Sequence, residues 1–404
     1  MNLIIMPLKK IAKLLFNRIF YVAVALLLQL VWVFLFVWEL AGYSQYISLA
    51  ITVLSIVMVL WILNKRINPS YKLGWTMLIM AFPVFGLLLY LLFGHSRIAE
   101  EMQKRYTRVQ EDSIPYLQSD PRVCRKIQEE DPSAAVQSEY ICRHSVYPVY
   151  EHTKAEYFQV GDDMFPVLVK ELEQAEHYIY IEYFIINDGV MWRTILDILE
   201  QKAAQGVDVR LIYDGFGCLT TLPYKYDKFL REKGIQCKVF NPFRPVLNII
   251  QNNRDHRKIC VIDGKTGFTG GINLADEYIN QKERFGHWKD TAVMLKGDAV
   301  WSMTMMFLHM WNVVNGIQTP IDYAAHSPHA YHPEEFEGSG FVQPFTDTPL
   351  DGETLGENVY LNIINRAKRY VYICTPYLII DNEMMTALCL AAKSGVDVRI
   401  MTPG

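Results

Sequence analysis

The sequence has no excess of positive charge: 39 lysines and arginines stand against 43 aspartates and glutamates, a formal net charge of −4 over 404 residues. No global basic field therefore argues for a nucleic-acid partner, and any anion binding must be local. Charged residues make up 20% of the chain, a little under the usual quarter, and mean hydropathy is slightly above zero. Cysteine spacing of the metal-binding kind is also missing. Cys124, Cys142, Cys218, Cys237, Cys260, Cys374 and Cys389 are odd in number, with neither CxxC nor zinc-finger spacing. They read as free thiols, which argues against an obligatory disulfide framework.

What the chain does have is apolar sequence concentrated in its first 95 positions. Residues 1–20 carry Lys9, Lys10, Lys13 and Arg18 among apolar positions, a basic lead-in suited to a membrane interface. Residues 19–40 form an apolar run of bilayer-spanning length whose one charged residue is Glu39 near its end, without the short core and small-residue cleavage site of a signal peptide. Residues 46–63 form a second such run, reached through a loop without Lys or Arg and followed by Lys65 and Arg66. Positive flanks before the first run and after the second place both on the cytoplasmic side. A third run, 73–93, is broken by Pro83 and Gly86. If it crosses, the rest of the chain lies outside; if it turns back, the rest lies inside. The expectation is a multi-pass cell-membrane segment over 1–98 with two or three transmembrane helices.

Residues 99–157 are polar, with Pro115, Pro121, Pro132 and Pro148 scattered through them, and read as a linker. A β-α-β rhythm follows: a helix over 167–175, a strand over 178–186, a helix over 192–205 closed by Gly206, and a strand over 207–213. Such alternation predicts an α/β fold with a parallel or mixed sheet covered by helices. The rhythm returns near the C-terminus, where AKRYVYICTPYLIID echoes AEHYIYIEYFIIN and the pentapeptide GVDVR occurs at both 206–210 and 395–399. The chain reads as an internal duplication: a first domain over 158–345 and the start of a second over 346–404.

The stretch 253–278, NRDHRKICVIDGKTGFTGGINLADEY, carries the chemistry. His256, Lys258 and Asp263 stand at HxKxxxxD spacing, and Gly270, Gly271 and Asn273 follow. His256 and Lys258, two apart at the start of a short buried-strand pattern, share one strand face. HxKxxxxD alone turns up by chance in roughly one in thirty chains of this length; the added Gly-Gly-x-Asn makes coincidence far rarer. Imidazole and ammonium without metal ligands suggest attack by a neutral ring nitrogen on a phosphodiester, through a phosphohistidine. Lys258 would neutralise phosphoryl charge, Asn273 would donate to the same oxygens, and Gly270 and Gly271 would let the backbone come close. The nucleophile also needs an orienting partner, for which Asp290 in HWKDT is expected. Asp263 closes the motif but lies too far along a strand to touch the His256 ring, which assigns it to the Asp-Gly turn.

These residues resemble the first HKD motif of the phospholipase D superfamily. With the preceding apolar runs and the segments IEYF (181–184), YDGFG (213–217), HWKDT (287–291) and TPY (375–377), the chain resembles bacterial cardiolipin synthases. The resemblance implies a phospholipase D-like mixed sheet flanked by helices. It also implies phosphatidyl transfer from one phosphatidylglycerol to another, releasing glycerol, with no cofactor and no metal. That family uses two HKD halves, one histidine as nucleophile and the other as general acid and base. Here His256, Lys258 and Asp263 form the first. Gly271 stands where many superfamily members have Ser, and no second HxK with the right sequel occurs, so the second repeat is expected to be incomplete at Gly404.

Three other readings stay open: another phospholipase D type phosphodiesterase, a phospholipid-binding fragment without activity, and a homodimer in which each chain supplies His256. Weaker signals remain as well. His326, His329 and His332 form HxxHxxH in a proline-rich loop with no carboxylate at zincin spacing. Glu182 and Tyr183 either line the site or fill the core. Residues 243–250 read either as a lipid-facing lip or as a buried helix.

Overall fold

The computed structural model describes residues 18–37, 41–65, 68–94, 97–242, 253–314, 321–332, 335–349 and 352–403. The stretch 243–250 lies outside them. The chain divides into two compact units, Met1–Glu100 with Phe243–Asn253, and Glu101–Pro242 with Arg254–Gly404.

The first unit contains α1 (Arg18–Val37), α2 (Ala41–Asn64), α3 (Pro69–Ala81) and α4 (Pro83–Phe93). Among the described residues only Gln45–Asn64 is long and apolar enough to cross a membrane; Ala23–Phe34 and Pro83–Phe93 are shorter apolar helices. The third apolar run is thus two helices rather than one span. The cause is local: proline at the first position of α4 removes an N–H donor and forces the residue before it out of the helical region, and Phe82 has φ −135° and ψ 76°.

The second unit starts within α5 (Arg97–Ser113) and continues with α6 (Pro121–Glu130) and α7 (Pro132–Ser145). The linker expected over 99–157 is therefore largely helical. Pro121 and Pro132 begin helices instead of breaking them, because the first helical position needs no N–H donor. Each is preceded by a capping aspartate: Asp120 accepts from the Arg122 N–H, and Asp131 from the N–H groups of Ser133 and Ala134.

A seven-stranded mixed sheet follows, in the order β1-β7-β6-β5-β2-β3-β4. Its strands are β1 (Thr153–Phe158), β2 (Tyr178–Tyr183), β3 (Asp208–Asp214), β4 (Gln236–Phe240), β5 (Lys258–Ile262), β6 (Thr266–Gly270) and β7 (Ala292–Gly297). The β2-β3-β4 set is parallel, and β5 joins β2 antiparallel, with Lys258 opposite Tyr183. One face packs on α8 (Gly161–Glu173) and α9 (Val190–Ala204) through Leu168, Leu172, Trp192 and Leu199; α10 (Tyr226–Glu232) leads into β4. The other face packs on α11 (Val300–Val313) through Met303, Met306 and Phe307. With both faces covered, all six residues of β2 and all five of β5 are buried, which is why YIYIEY and KICVI carry apolar residues on both faces.

The last segment forms α12 (Leu355–Arg366), β8 (Tyr370–Cys374), α13 (Asn382–Lys393) and β9 (Asp397–Met401), with β8 and β9 parallel in a sheet of their own. The register repeats that of β2 and β3. Tyr178 faces Asp208 and Tyr180 faces Arg210, as Tyr370 faces Asp397 and Tyr372 faces Arg399. In each pair the second tyrosine hydroxyl donates to the aspartate, at 3.0 Å and 2.7 Å, and the arginine Nε donates to that aspartate at 3.1 Å.

Candidate active site

The register of the sheet brings the C-terminal ends of β2, β3 and β6 to the same edge as the N-terminal ends of β5 and β7. His256 precedes β5 at that edge and is exposed, whereas Lys258 is buried at 5% exposure. The Lys258 Nζ lies 3.2 Å from both ring nitrogens of His256 and donates to the His256 carbonyl at 2.7 Å. The Phe184 ring packs against the imidazole, with centroids 4.7 Å apart. Partial burial, and then the ammonium charge of Lys258, hold His256 below the ordinary histidine value, so the ring is neutral and nucleophilic at neutral pH. Burial also lowers Lys258 to about 8, against the opposing pull of Asp290 and Asp255.

Asp290 stands at this edge just before β7, but its expected bond to His256 is not made. Its Oδ1 accepts from the Thr291 N–H at 2.8 Å, and its charge acts on Lys258. Burial raises its own pKa. Among the described residues no carboxylate hydrogen-bonds the His256 ring. The reason is positional: the carboxylate is folded over the backbone of Gly271, where an added Cβ would sit 1.9 Å from Oδ1.

The two glycines admit protein, not ligand. A Cβ on Gly270 would fall 2.4 Å from the Thr291 carbonyl and 2.7 Å from the Ala292 Cα. Asn273 is likewise more occupied than expected. It is 2% exposed, its Oδ1 accepts from the Ile185 N–H at 3.0 Å, and its Nδ2 donates to the Tyr278 hydroxyl at 2.8 Å, so one amide hydrogen remains.

Asp263 lies at the opposite end of β5, roughly 23 Å from His256 along an extended chain. Its carboxylate accepts from the N–H groups of Glu176, His177 and Tyr178, and with Gly264 it forms a left-handed turn, φ 50° and 62°. It ties the hairpin of β5 and β6 to the start of β2, and shares no contact with the reacting edge.

Several residues at the edge escaped the sequence reading. Asp214, fully buried at the end of β3, accepts from the Asp255 N–H at 3.0 Å and from the N–H groups of Phe216 and Gly217 at 2.8 Å. Arg257 points to the α11 face, where its Nε lies 2.8 Å from Glu182 Oε1 and 3.0 Å from Asp255 Oδ1. Glu182 is thereby a core ion-pair partner and not a lining residue. Both arginine and aspartates stood in NRDHRK and YDGFG, but alternation by strand face was the only signal separating Arg257 from His256. In the HxxHxxH loop, His326 meets the Tyr180 hydroxyl at 3.1 Å and His329 pairs with Asp298, and no cluster able to hold a metal is found among the described residues.

Residues 168–311 and 360–404 match the family model "Cardiolipin synthase, PLD-like domain", and 53–95 match "Phospholipase_D-nuclease N-terminal". A cardiolipin synthase of Geobacillus thermodenitrificans is 32% identical over 368 residues, covering 88% of this chain and 70% of its own. An uncharacterised protein of Streptococcus mutans is 45% identical over 346 residues, covering 86% of this chain and 74% of its own. A solved phosphatidylserine synthase of Haemophilus influenzae aligns with TM-score 0.45 at 13% identity, covering 67% of this chain and 66% of that one. The chain belongs to the phospholipase D-like cardiolipin synthase family.

Proposed function

We propose that this protein is a membrane-bound phosphatidyltransferase that makes cardiolipin from two molecules of phosphatidylglycerol, with His256 as its nucleophile. The observation that carries the reading is the placement of an exposed imidazole, kept neutral by burial and by Lys258, at an edge where that ammonium can meet a phosphate. A neutral His256 nitrogen attacks phosphorus, the phosphorus to glycerol oxygen bond breaks, and glycerol leaves after taking a proton. A hydroxyl of the second phosphatidylglycerol then attacks the phosphohistidine, gives its proton to the group that protonated the glycerol, and returns the free ring as the phosphorus to nitrogen bond breaks. Lys258 offsets charge on the phosphoryl oxygens, Asp290 keeps Lys258 charged, and Asn273 has one amide hydrogen left for the same task.

The departing glycerol needs an acid, and among the described residues no second imidazole hydrogen-bonds or stacks on His256. We assign that role to a second HKD imidazole. The matched register and Tyr-Asp-Arg bonds of β2-β3 and β8-β9 support a duplicated unit, and a second copy of the chain is the other source. Membrane attachment through α2 suits a diacyl substrate, since tethering raises its local concentration. The test is to incubate the full chain in vesicles with labelled phosphatidylglycerol. Cardiolipin with stoichiometric glycerol supports the reading; phosphatidic acid without cardiolipin makes the protein a hydrolase.

A further inference from the structure

The third apolar run does more than kink. Trp75 on α3 and Tyr90 on α4 stack edge to face with centroids 5.1 Å apart; in one continuous helix these positions would be separated by roughly 22 Å. Close to the break, a Cβ added to Gly86 would lie 2.7 Å from the Ile79 Cα, so the two backbones touch. Ile79, Leu87 and Tyr90 share a core with Ile62 of α2. The two helices are antiparallel, and at 13 and 11 residues they are roughly 20 and 16 Å long, against about 30 Å of hydrocarbon.

Two polar features give the hairpin a depth. At its open end, Lys65 at the C-terminal end of α2 donates to the Tyr90 hydroxyl at 3.1 Å and sits 3.7 Å from the Trp61 ring centroid, and Lys72 donates to the Leu63 carbonyl at 2.9 Å. Tryptophan, tyrosine and lysine gathered at one level mark a membrane-water interface. At the closed end, the free Phe85 N–H in the first turn of α4 donates to Oε1 of Gln29, midway along α1, at 3.3 Å. A helix start has unpaired N–H groups, and in hydrocarbon each must find a protein acceptor. The outer surface between these levels is apolar, with Leu73, Met77, Met80, Phe82 and Leu91 exposed.

We infer that residues 69–93 are a re-entrant hairpin, embedded in the hydrocarbon of a lipid bilayer and returning to the face it entered. The catalytic part of the chain then continues on the face that holds Lys65 and Lys72. Charge supports this independently: a crossing would put Lys65, Arg66 and Lys72 on one side and Arg97, Lys104, Arg105 and Arg108 on the other, whereas the hairpin puts all seven together. By the bias of basic residues that face is the cytoplasm.

The inference rests on the membrane reading above and not on the reaction. All seven native cysteines lie at or beyond Cys124, and Cys374 and Cys389 are exposed, so the full chain already reports the side of its catalytic part. Ser44→Cys, Ser70→Cys and Met80→Cys are added singly and treated with a membrane-impermeant maleimide, in intact cells and in inverted vesicles. Ser70→Cys, Cys374 and Cys389 should label only in inverted vesicles, Ser44→Cys only in intact cells, and Met80→Cys in neither. Labelling of Ser70→Cys and Cys374 from opposite faces, or of Met80→Cys from outside, overturns the hairpin with the membrane reading intact. Labelling of every site in both preparations overturns the membrane reading itself.

Discussion

Arg257 and Glu182 form an ion pair, Nε to Oε1 at 2.8 Å, on the sheet face directly behind His256. Glu182 is fully buried and Arg257 also reaches Asp255, so the residues on either side of the nucleophile are fixed from the core side. Burial drives Glu182 well above the ordinary carboxylate range, and the Arg257 charge beside it opposes that rise.

Removing Arg257 leaves two buried carboxylates, Glu182 and Asp255, without their cation, whereas removing Glu182 leaves Arg257 paired with Asp255. Arg257→Met should cost about 3–5 kcal/mol of stability, and Glu182→Gln less. The double variant Glu182→Leu with Arg257→Met should recover only part of the Arg257→Met loss and remain slow, because Asp255 is no longer held. Thermal melting and turnover of the single and double variants measure the two effects separately.

The pH dependence of turnover follows from the pair at the edge. His256 must be neutral to attack, and its lowered pKa puts the acidic limb below the ordinary histidine value of about 6.5. Lys258 must stay charged, and it loses its proton at about 8, so turnover should fall above that pH. Lys258→Arg should carry the alkaline limb beyond pH 10, even with a reduced maximum, because guanidinium stays protonated. A pH-rate profile of the two proteins checks this.

Gly271 is the position at which the superfamily resemblance expects a serine in many members. Here the space of that side chain is filled by Asp290. Gly271→Ser should therefore push Asp290 off Lys258, cut turnover roughly 100-fold and move the alkaline limb lower. A gain in turnover would show that serine and Asp290 fit together.

Asp263 separates structure from chemistry within the motif. Asp263→Ala takes the acceptor from three N–H groups, of which that of Tyr178 is buried and those of Glu176 and His177 are part-buried. Stability should fall by about 1–3 kcal/mol as measured by denaturation, with the pH limbs of the remaining folded protein unchanged.

Much of this was legible in the chain. His256 and Lys258 share a face because strand alternation is strict, and the Asp-Gly turn was visible in its two residues. Helices α6 and α7 were missed because proline was read as a breaker, although Asp-Pro at a helix start is a cap followed by a first residue that needs no N–H. Asp290 was placed at the correct edge by strand order, but its partner was not, because a contact with Lys258 rather than His256 depends on how the carboxylate folds over Gly271. Long-range choices of that kind carry no local pattern. The break at Pro83 was visible; the antiparallel pairing of Trp75 with Tyr90 across it was not.

The central claim is that His256 forms a covalent bond to phosphorus. The full chain, mixed with phosphatidylglycerol labelled at phosphorus in vesicles and quenched within a turnover, should carry an acid-labile, alkali-stable label on the peptide containing His256, and the His256→Ala protein should carry none. Label retained by His256→Ala, or located on another peptide, contradicts the account.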